Sequence, residues 1–232
     1  MKPFAFWKQS AAPLIWTPAM GTGALHWWRG DLGITLTSGK VSQWADQVGA
    51  MHQNQATAGS RPTLTNSATF NNQQVLSCAT SFFDGVVGAA MAAPITMLVV
   101  GLMNAGSRSF LSGGVNMFWR TGTAIEFFSN SPSTVRTTGP ANSGSVASAW
   151  LFTDDGSVGT KLHRNDFTNT IATQTPHWRS TTVVNIGKTY AAVPSAAGEI
   201  AEVAIWSGVM SSGDRSSMSA YLNARYGFST TP

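Results

Sequence analysis

From Ala24 almost to its C-terminus the chain is written in short apolar or alternating runs: ALHWW, VSQWAD, ITMLVVGLM, NMFWR, AIEFF, SVASAWLFT, VGTKLHR, NTIATQ, TVVNIG and EIAEVAIW. Clusters of Gly, Ser, Thr and Asn separate them, and no helical stretch comes between. Runs of strand length bounded by turn formers, with nothing long enough to cross over between parallel neighbours, constrain such a chain to antiparallel sheets stacked as a sandwich. Ile95–Met103 is apolar almost throughout, as a central strand covered on both faces must be, whereas residues 123–128 partly alternate.

Residues 161–173 read as a β-hairpin with Asn165 and Asp166 at the tip, because both tolerate the left-handed backbone of tight turns. The one helix comes last, in SSGDRSSMSAYLNARYG. Ser211 followed three residues on by Asp214 makes a capping box, Met218, Tyr221, Leu222 and Arg225 keep helical spacing, and Gly227 ends it. The organisation expected is an N-terminal arm over 1–24, one β domain over 25–228 and a short tail over 229–232. Pro3, Pro13 and Pro18 break the arm, yet Phe4, Phe6, Trp7, Leu14, Ile15 and Trp16 make it strongly apolar. An arm of that kind needs a surface to lie on, its own domain or a neighbouring subunit, so those six residues are candidates for assembly.

With 232 residues, 43% hydrophobic and 10% charged, the chain can bury one full core, and nine Trp and twelve Phe argue against disorder. Its net charge of +4 comes from 14 basic against 10 acidic residues, scattered along the chain. A nucleic-acid surface needs clustered cations, and the nearest approach is Lys161, His163 and Arg164, so no nucleic-acid partner is expected. Cys78 stands alone, so there is no internal disulfide and no cysteine-based metal knuckle. MKPFAFWKQSAAPLIW lacks the apolar run of a signal peptide and no later segment approaches a membrane span, so synthesis in a cytoplasm and no membrane partner are expected.

Two segments carry a family resemblance. Residues 27–64, WWRGDLGITLTSGKVSQWADQVGAMHQNQATAGSRPTL, resemble the opening of laminin-G-like domains of the concanavalin A-like lectin and glucanase superfamily, of the kind found in bacterial and phage proteins. The matching features are Trp27 and Trp28, the run VSQWAD from Val41, QAT from Gln55, Arg-Pro-Thr from Arg61 and Phe-Asp-Gly from Phe83. The closing IGK at Ile186 and GEIAEVAIWSGVMSSGDRSSMSAYLNARYG are similar to the family's last strand and terminal helix. The resemblance spans about residues 24–227 and implies a concanavalin A-like jelly-roll sandwich of two antiparallel sheets with one short C-terminal helix. Lectins, hydrolases, adhesins and virion proteins share that fold, so it does not choose a function.

Glu199 and Glu202 are the pair to weigh as catalysts. Three positions apart on a strand, they point to opposite faces unless a bulge intervenes. A retaining glycosidase needs two carboxyls about 5 Å apart, and Ala201 stands where laminarinase-like relatives carry their middle Asp. Glu199 is expected at the strand's entrance and Glu202 facing solvent or a basic side chain, with Ile200, Val203 or Ile205 packing. Glu126 and Asp154 are spare carboxylates for a hydrolase, with nothing in the sequence to join them.

His26, His52, His163 and His177 lie far apart without metal spacing. Asp154 and Asp155 read as a turn, and relatives that bind calcium through such loops leave calcium possible but without a complete motif here. Catalytic, cofactor and metal residues are therefore assigned to none. Trp119, Trp178 and Trp206 could offer a sugar a stacking face, whereas Trp27, Trp44, Trp150 and Trp206 also fit between sheets. Trp178 in TPHWRS, beside His177 and Arg179, is the best loop candidate for a glycan contact.

The leading expectation is a non-enzymatic structural protein of a phage or virus particle, a capsid decoration or fibre-associated subunit. It would be homo-oligomeric, docked on other virion subunits by its arm, and made in the host cytoplasm. The alternative is a carbohydrate-binding, receptor-recognising module, and a glycoside hydrolase comes third.

Overall fold

The computed structural model describes residues 16–78, 81–85, 88–103, 108–113, 116–121, 124–131, 133–138, 146–157, 159–168, 170–174, 180–188 and 198–229, with backbone and register alone over 116–138. The first strands are β1 (Ala24–Arg29), β2 (Ile34–Thr37), β3 (Lys40–Trp44), β4 (Gln53–Asn54), β5 (Thr63–Ser67), β6 (Gln73–Cys78) and β7 (Asp84–Gly85). The middle ones are β8 (Ile95–Met103), β9 (Arg108–Gly113), β10 (Asn116–Thr121), β11 (Ala124–Ser131) and β12 (Ser133–Thr138). Then follow β13 (Ser148–Asp154), β14 (Thr160–Arg164), β15 (Ala172–Gln174), β16 (Asn185–Ile186), β17 (Gly198–Ser207) and the helix α1 (Ser212–Tyr226).

The chain is an all-β antiparallel sandwich with a C-terminal helix, as its pattern of runs and turns requires. One layer is an eight-stranded sheet in the order β15-β14-β13-β8-β17-β6-β5, with β1 also paired to β17. Facing it are a five-stranded sheet, β12-β11-β10-β9-β16, and a four-stranded one, β2-β3-β4-β7. A bridge between Phe83 and Ile186 and the Gly85 N–H donated to Asn185 Oδ1 (3.2 Å) join these two. A methyl group on Gly85 would overlap the Val184 carbonyl, so the join requires glycine.

Strand β8 shows why the long apolar run sits at the centre. Ile95, Met97, Val99 and Met103 enter the core between the layers, while Leu98, Val100 and Leu102 enter a second core behind the large sheet. That second core is closed by Met218, Tyr221, Leu222 and Tyr226 of α1. Each fully buried side chain of this size contributes about 1.5–3 kcal/mol, so a strand buried on both faces ties the two cores into one unit.

Helix α1 begins and ends as its caps dictate. Ser211 Oγ accepts from the Asp214 N–H (3.0 Å), and Gly227 closes the helix at φ 70° with its N–H on Asn223 O. The hairpin differs from expectation. Asn165 is left-handed (φ 54°), but pairing resumes only at Leu162 opposite Ala172, so the connection is longer than a tight turn. The cause is Asn165 itself, which exchanges hydrogen bonds with Ala149 of β13 instead of closing the turn: its N–H donates to Ala149 O (3.0 Å) and its Oδ1 accepts from Ala149 N (2.8 Å).

The tryptophans divide between the cores. Trp44 and Trp150 lie between the sheets as expected, but Trp27 and Trp206 lie behind the large sheet. Trp206 is 1% exposed and donates to Pro18 O (3.0 Å), so it offers no face to a sugar. Trp16 meets Tyr221 edge to face at 6.1 Å, and a 3-10 turn over Pro18–Met20 follows it. Phe4, Phe6, Trp7, Leu14 and Ile15 lie outside the described residues, as do His177, Trp178 and Arg179.

Candidate functional site

Strand β17 has a bulge. Ile200 pairs with Gly101 and Glu202 with Val100, consecutive residues of β8, so Ala201 is the extra one. The bulge lies where the other edge of β17 changes neighbours, from β6 at Ile200 to β1 at Glu202. At that handover Ala201 O accepts from the Gly30 N–H (2.9 Å). One added residue restores phase three positions on, so Glu199 and Glu202 face the same side of the sheet rather than opposite sides.

Glu202 does not face solvent either; it is wholly buried beneath α1. Its Oε1 accepts from Trp27 Nε1 (2.6 Å), its Oε2 from the Tyr226 hydroxyl (2.7 Å), and both lie 3.0 Å from the Tyr221 hydroxyl. Burial pushes this carboxyl above the usual glutamate range, against the bonds from Tyr226, Trp27 and Tyr221. Beside it Arg29 donates to Asp31 (2.6 Å) and to the Tyr221 hydroxyl (3.4 Å), and Arg225 Nη2 lies 2.7 Å from Asp31. Glu199 meanwhile accepts from Ser67 Oγ (2.6 Å). A carboxylate whose oxygens are saturated by side chains under a helix has no access to a glycosidic oxygen, so this arrangement holds the helix down and is not an acid–base pair.

Sequence reasoning missed a second buried carboxylate. Asp46 accepts from the N–H groups of Trp27, Val48, Gly49 and Met51 and from His26 Nδ1 (2.6 Å), with His26 stacked on Trp28. Its own N–H donates to His52 Nδ1 (3.1 Å). Two of the four histidines therefore flank one aspartate, which spacing alone did not show. Asp154 and Asp155 cap their own turn, accepting from Gly156 N and Ser157 N at 2.8 Å. Among the described residues no three His, Cys, Asp or Glu gather as a metal site. Burial pushes the Cys78 thiol up to about 12, which leaves it inert as a nucleophile.

The register of the five-stranded sheet groups other candidates. Phe118 is opposite Leu111, which is buried between the layers, so the next row belongs to the other face of the sheet. That row is Trp119, Glu126 and Thr138. Two positions along, Met117, Phe128 and Arg136 form another row of the same face. An aromatic residue in line with carboxylate, hydroxyl and guanidinium types is what a sugar site uses, a flat apolar face beside groups that fix hydroxyls. Trp119 and Glu126 were both singled out in the sequence, and only pairing brings them together.

No family model matches the chain, and no curated protein matches its sequence. Solved structures do match. Domain 4 of AbnA, a GH43 extracellular arabinanase from Geobacillus stearothermophilus, in complex with arabinotriose, aligns with a TM-score of 0.60 at 10% identity, over 89% of this chain and 99% of that one. The binding domain of Paraclostridial Mosquitocidal Protein 1 aligns at 0.60 and 6% identity over 87% of this chain and 52% of that one. Trypanosoma rangeli sialidase aligns at 0.55 and 8% identity over 87% of this chain. What they share is the fold. This chain spans 33% of the sialidase and about half of the mosquitocidal binding domain, so neither whole protein's activity transfers with it.

Proposed function

We propose that the chain is a non-enzymatic glycan-binding module, laminin-G-like in type, that reads its ligand along the Trp119 row of the five-stranded sheet. The observation that carries this reading is the alignment, near end to end for both chains, with a domain solved in complex with arabinotriose. Register puts Trp119, Glu126 and Thr138 in one row, an aromatic residue type beside two polar ones, which supports a sugar site there. The sequestration of Glu202 supports binding over hydrolysis, because it removes the carboxylate best placed to join Glu199.

Isothermal titration with arabinotriose and with sialyllactose tests the reading. At least one is expected to bind, and Trp119→Ala to weaken binding at least about tenfold, the equivalent of about 1.4 kcal/mol, with an unchanged thermal melt. Binding indifferent to that substitution would move the site elsewhere, and no binding to any neutral or sialylated oligosaccharide would remove the reading.

A second reading is favoured by the apolar, proline-broken sequence before Trp16. In it the module is carried in several copies on a phage or virus particle, assembled in the host cytoplasm. Weak single-site sugar binding would then gain strength from multivalent attachment.

A further inference from the structure

Alternation splits the one basic cluster that the sequence contains. Lys161 and His163 share a face of β14, whereas Leu162 enters the core between the layers. Arg164 takes that opposite face too, its guanidinium 5.1 Å from the Trp150 ring centre and its Nε donating to Ser148 Oγ (3.0 Å). A different cation replaces it. Arg215, from the first turn of α1, is steadied by donation from Nη1 to Phe167 O (3.4 Å) and comes to the side that Lys161 and His163 occupy.

These three residues line a hollow of about 130 Å³ together with Thr153, Thr168 and Thr170. Thr153 is the cross-strand partner of Lys161, and the other two threonines come from the connection between β14 and β15. One acidic residue, Asp155, also lines it, with its Oδ1 engaged by the N–H (2.8 Å) and hydroxyl (3.3 Å) of Ser157. Lys161 and Arg215 outnumber that carboxylate, and His163 is 2% exposed at the same hollow. Arg offers a planar fork, Lys a point charge, and threonine hydroxyls donate without adding charge, a set matched to several oxygens around one anionic centre.

We propose that this hollow binds a tetrahedral oxyanion, sulfate or phosphate, either free or as an ester on a sugar. Nothing in it depends on Trp119, so the site stands or falls apart from the glycan reading. Lys161 and Arg215, drawn from two distant parts of the chain, line one small hollow, which a mildly basic surface does not require.

The test is titration of the full chain with sodium sulfate and sodium phosphate against sodium chloride at matched ionic strength, by calorimetry and thermal melting. Saturable heat and a rise in Tm beyond that of chloride are expected, with affinity reduced at least about tenfold, or about 1.4 kcal/mol, in Lys161→Gln and in Arg215→Gln. Lys161 is exposed, so its replacement leaves folding intact. A rise that fails to saturate, or that persists undiminished in Lys161→Gln, is a general salt effect and overturns the proposal. Galactose 6-sulfate and glucose 6-phosphate, each beside its parent sugar, separate the two sources. Tighter binding of an ester than of the free ion identifies a sugar-borne group, the reverse identifies a free anion, and equal binding of the parent sugars overturns the assignment. Trp119→Ala is expected to keep the anion response whatever it does to glycans.

Discussion

Asp46 gathers four backbone N–H groups and the His26 ring around one carboxylate, and so shapes the turn that carries the chain from β3 to β4. Burial alone would push it up, but the His26 ring and the N–H groups of Trp27, Val48 and Gly49 outweigh burial and hold it below the usual aspartate range. With the folded value below the unfolded one, its stabilisation is complete above about pH 4 and is lost as pH falls through the lowered folded value. Denaturant unfolding of Asp46→Asn should show a loss of about 1–3 kcal/mol at pH 7 and a shallower decline below pH 4 than the parent chain. Equal slopes for the two would mean that other groups set the acid limb. Asp46 was visible in the sequence only as part of the VSQWAD run. Nothing in a run of letters says which carboxylate will collect its neighbours' N–H groups, since those come from β1 as well as from the turn itself.

At the scale of elements, the strands and the helix could be read from local pattern, and the departures arose where two elements meet. Ser211, Asp214 and Gly227 named the ends of α1 because capping is a matter of four or five adjacent residues. Ser211→Ala removes the oxygen that accepts from Asp214 N, and a fall in stability of about 1 kcal/mol is expected, seen as a lower denaturant midpoint with the same slope. A midpoint within error of the parent would assign the helix end to packing of Met218 and Leu222 instead. The bulge at Ala201 had no such local signal. It answers to the change of neighbour from β6 to β1, and those strands are far from β17 in sequence. The faces of Glu199 and Glu202, the place of Trp206 and the hairpin tip at Asn165 were all settled by partners distant in the chain. The candidate sites were legible to the same degree: Trp119, Glu126, Lys161 and His163 stood out as residue types, while their companions Thr138 and Arg215 did not.

For the whole molecule, the large sheet carries a buried apolar core on each of its faces. Trp16 and Pro18 take part in that rear core, through Tyr221 and Trp206. A chain shortened to begin at Trp16 therefore keeps those contacts and loses only the arm sequence before them. Under the particle reading, light scattering is expected to give the full chain a mass that is a multiple of 24.5 kDa and the shortened chain a single subunit. A full chain that scatters as one subunit would take the arm out of self-assembly.

The same rear core fixes how the domain can be held. Trp16 at one end of the described chain and Phe228 at the other, stacked on Tyr226, both lie on the helix side of the eight-stranded sheet. A tether joined directly at Trp16 or at Phe228 would therefore start from the helix side of the sheet. The five-stranded sheet belongs to the other layer, so the core between the layers separates it from both of those starting points.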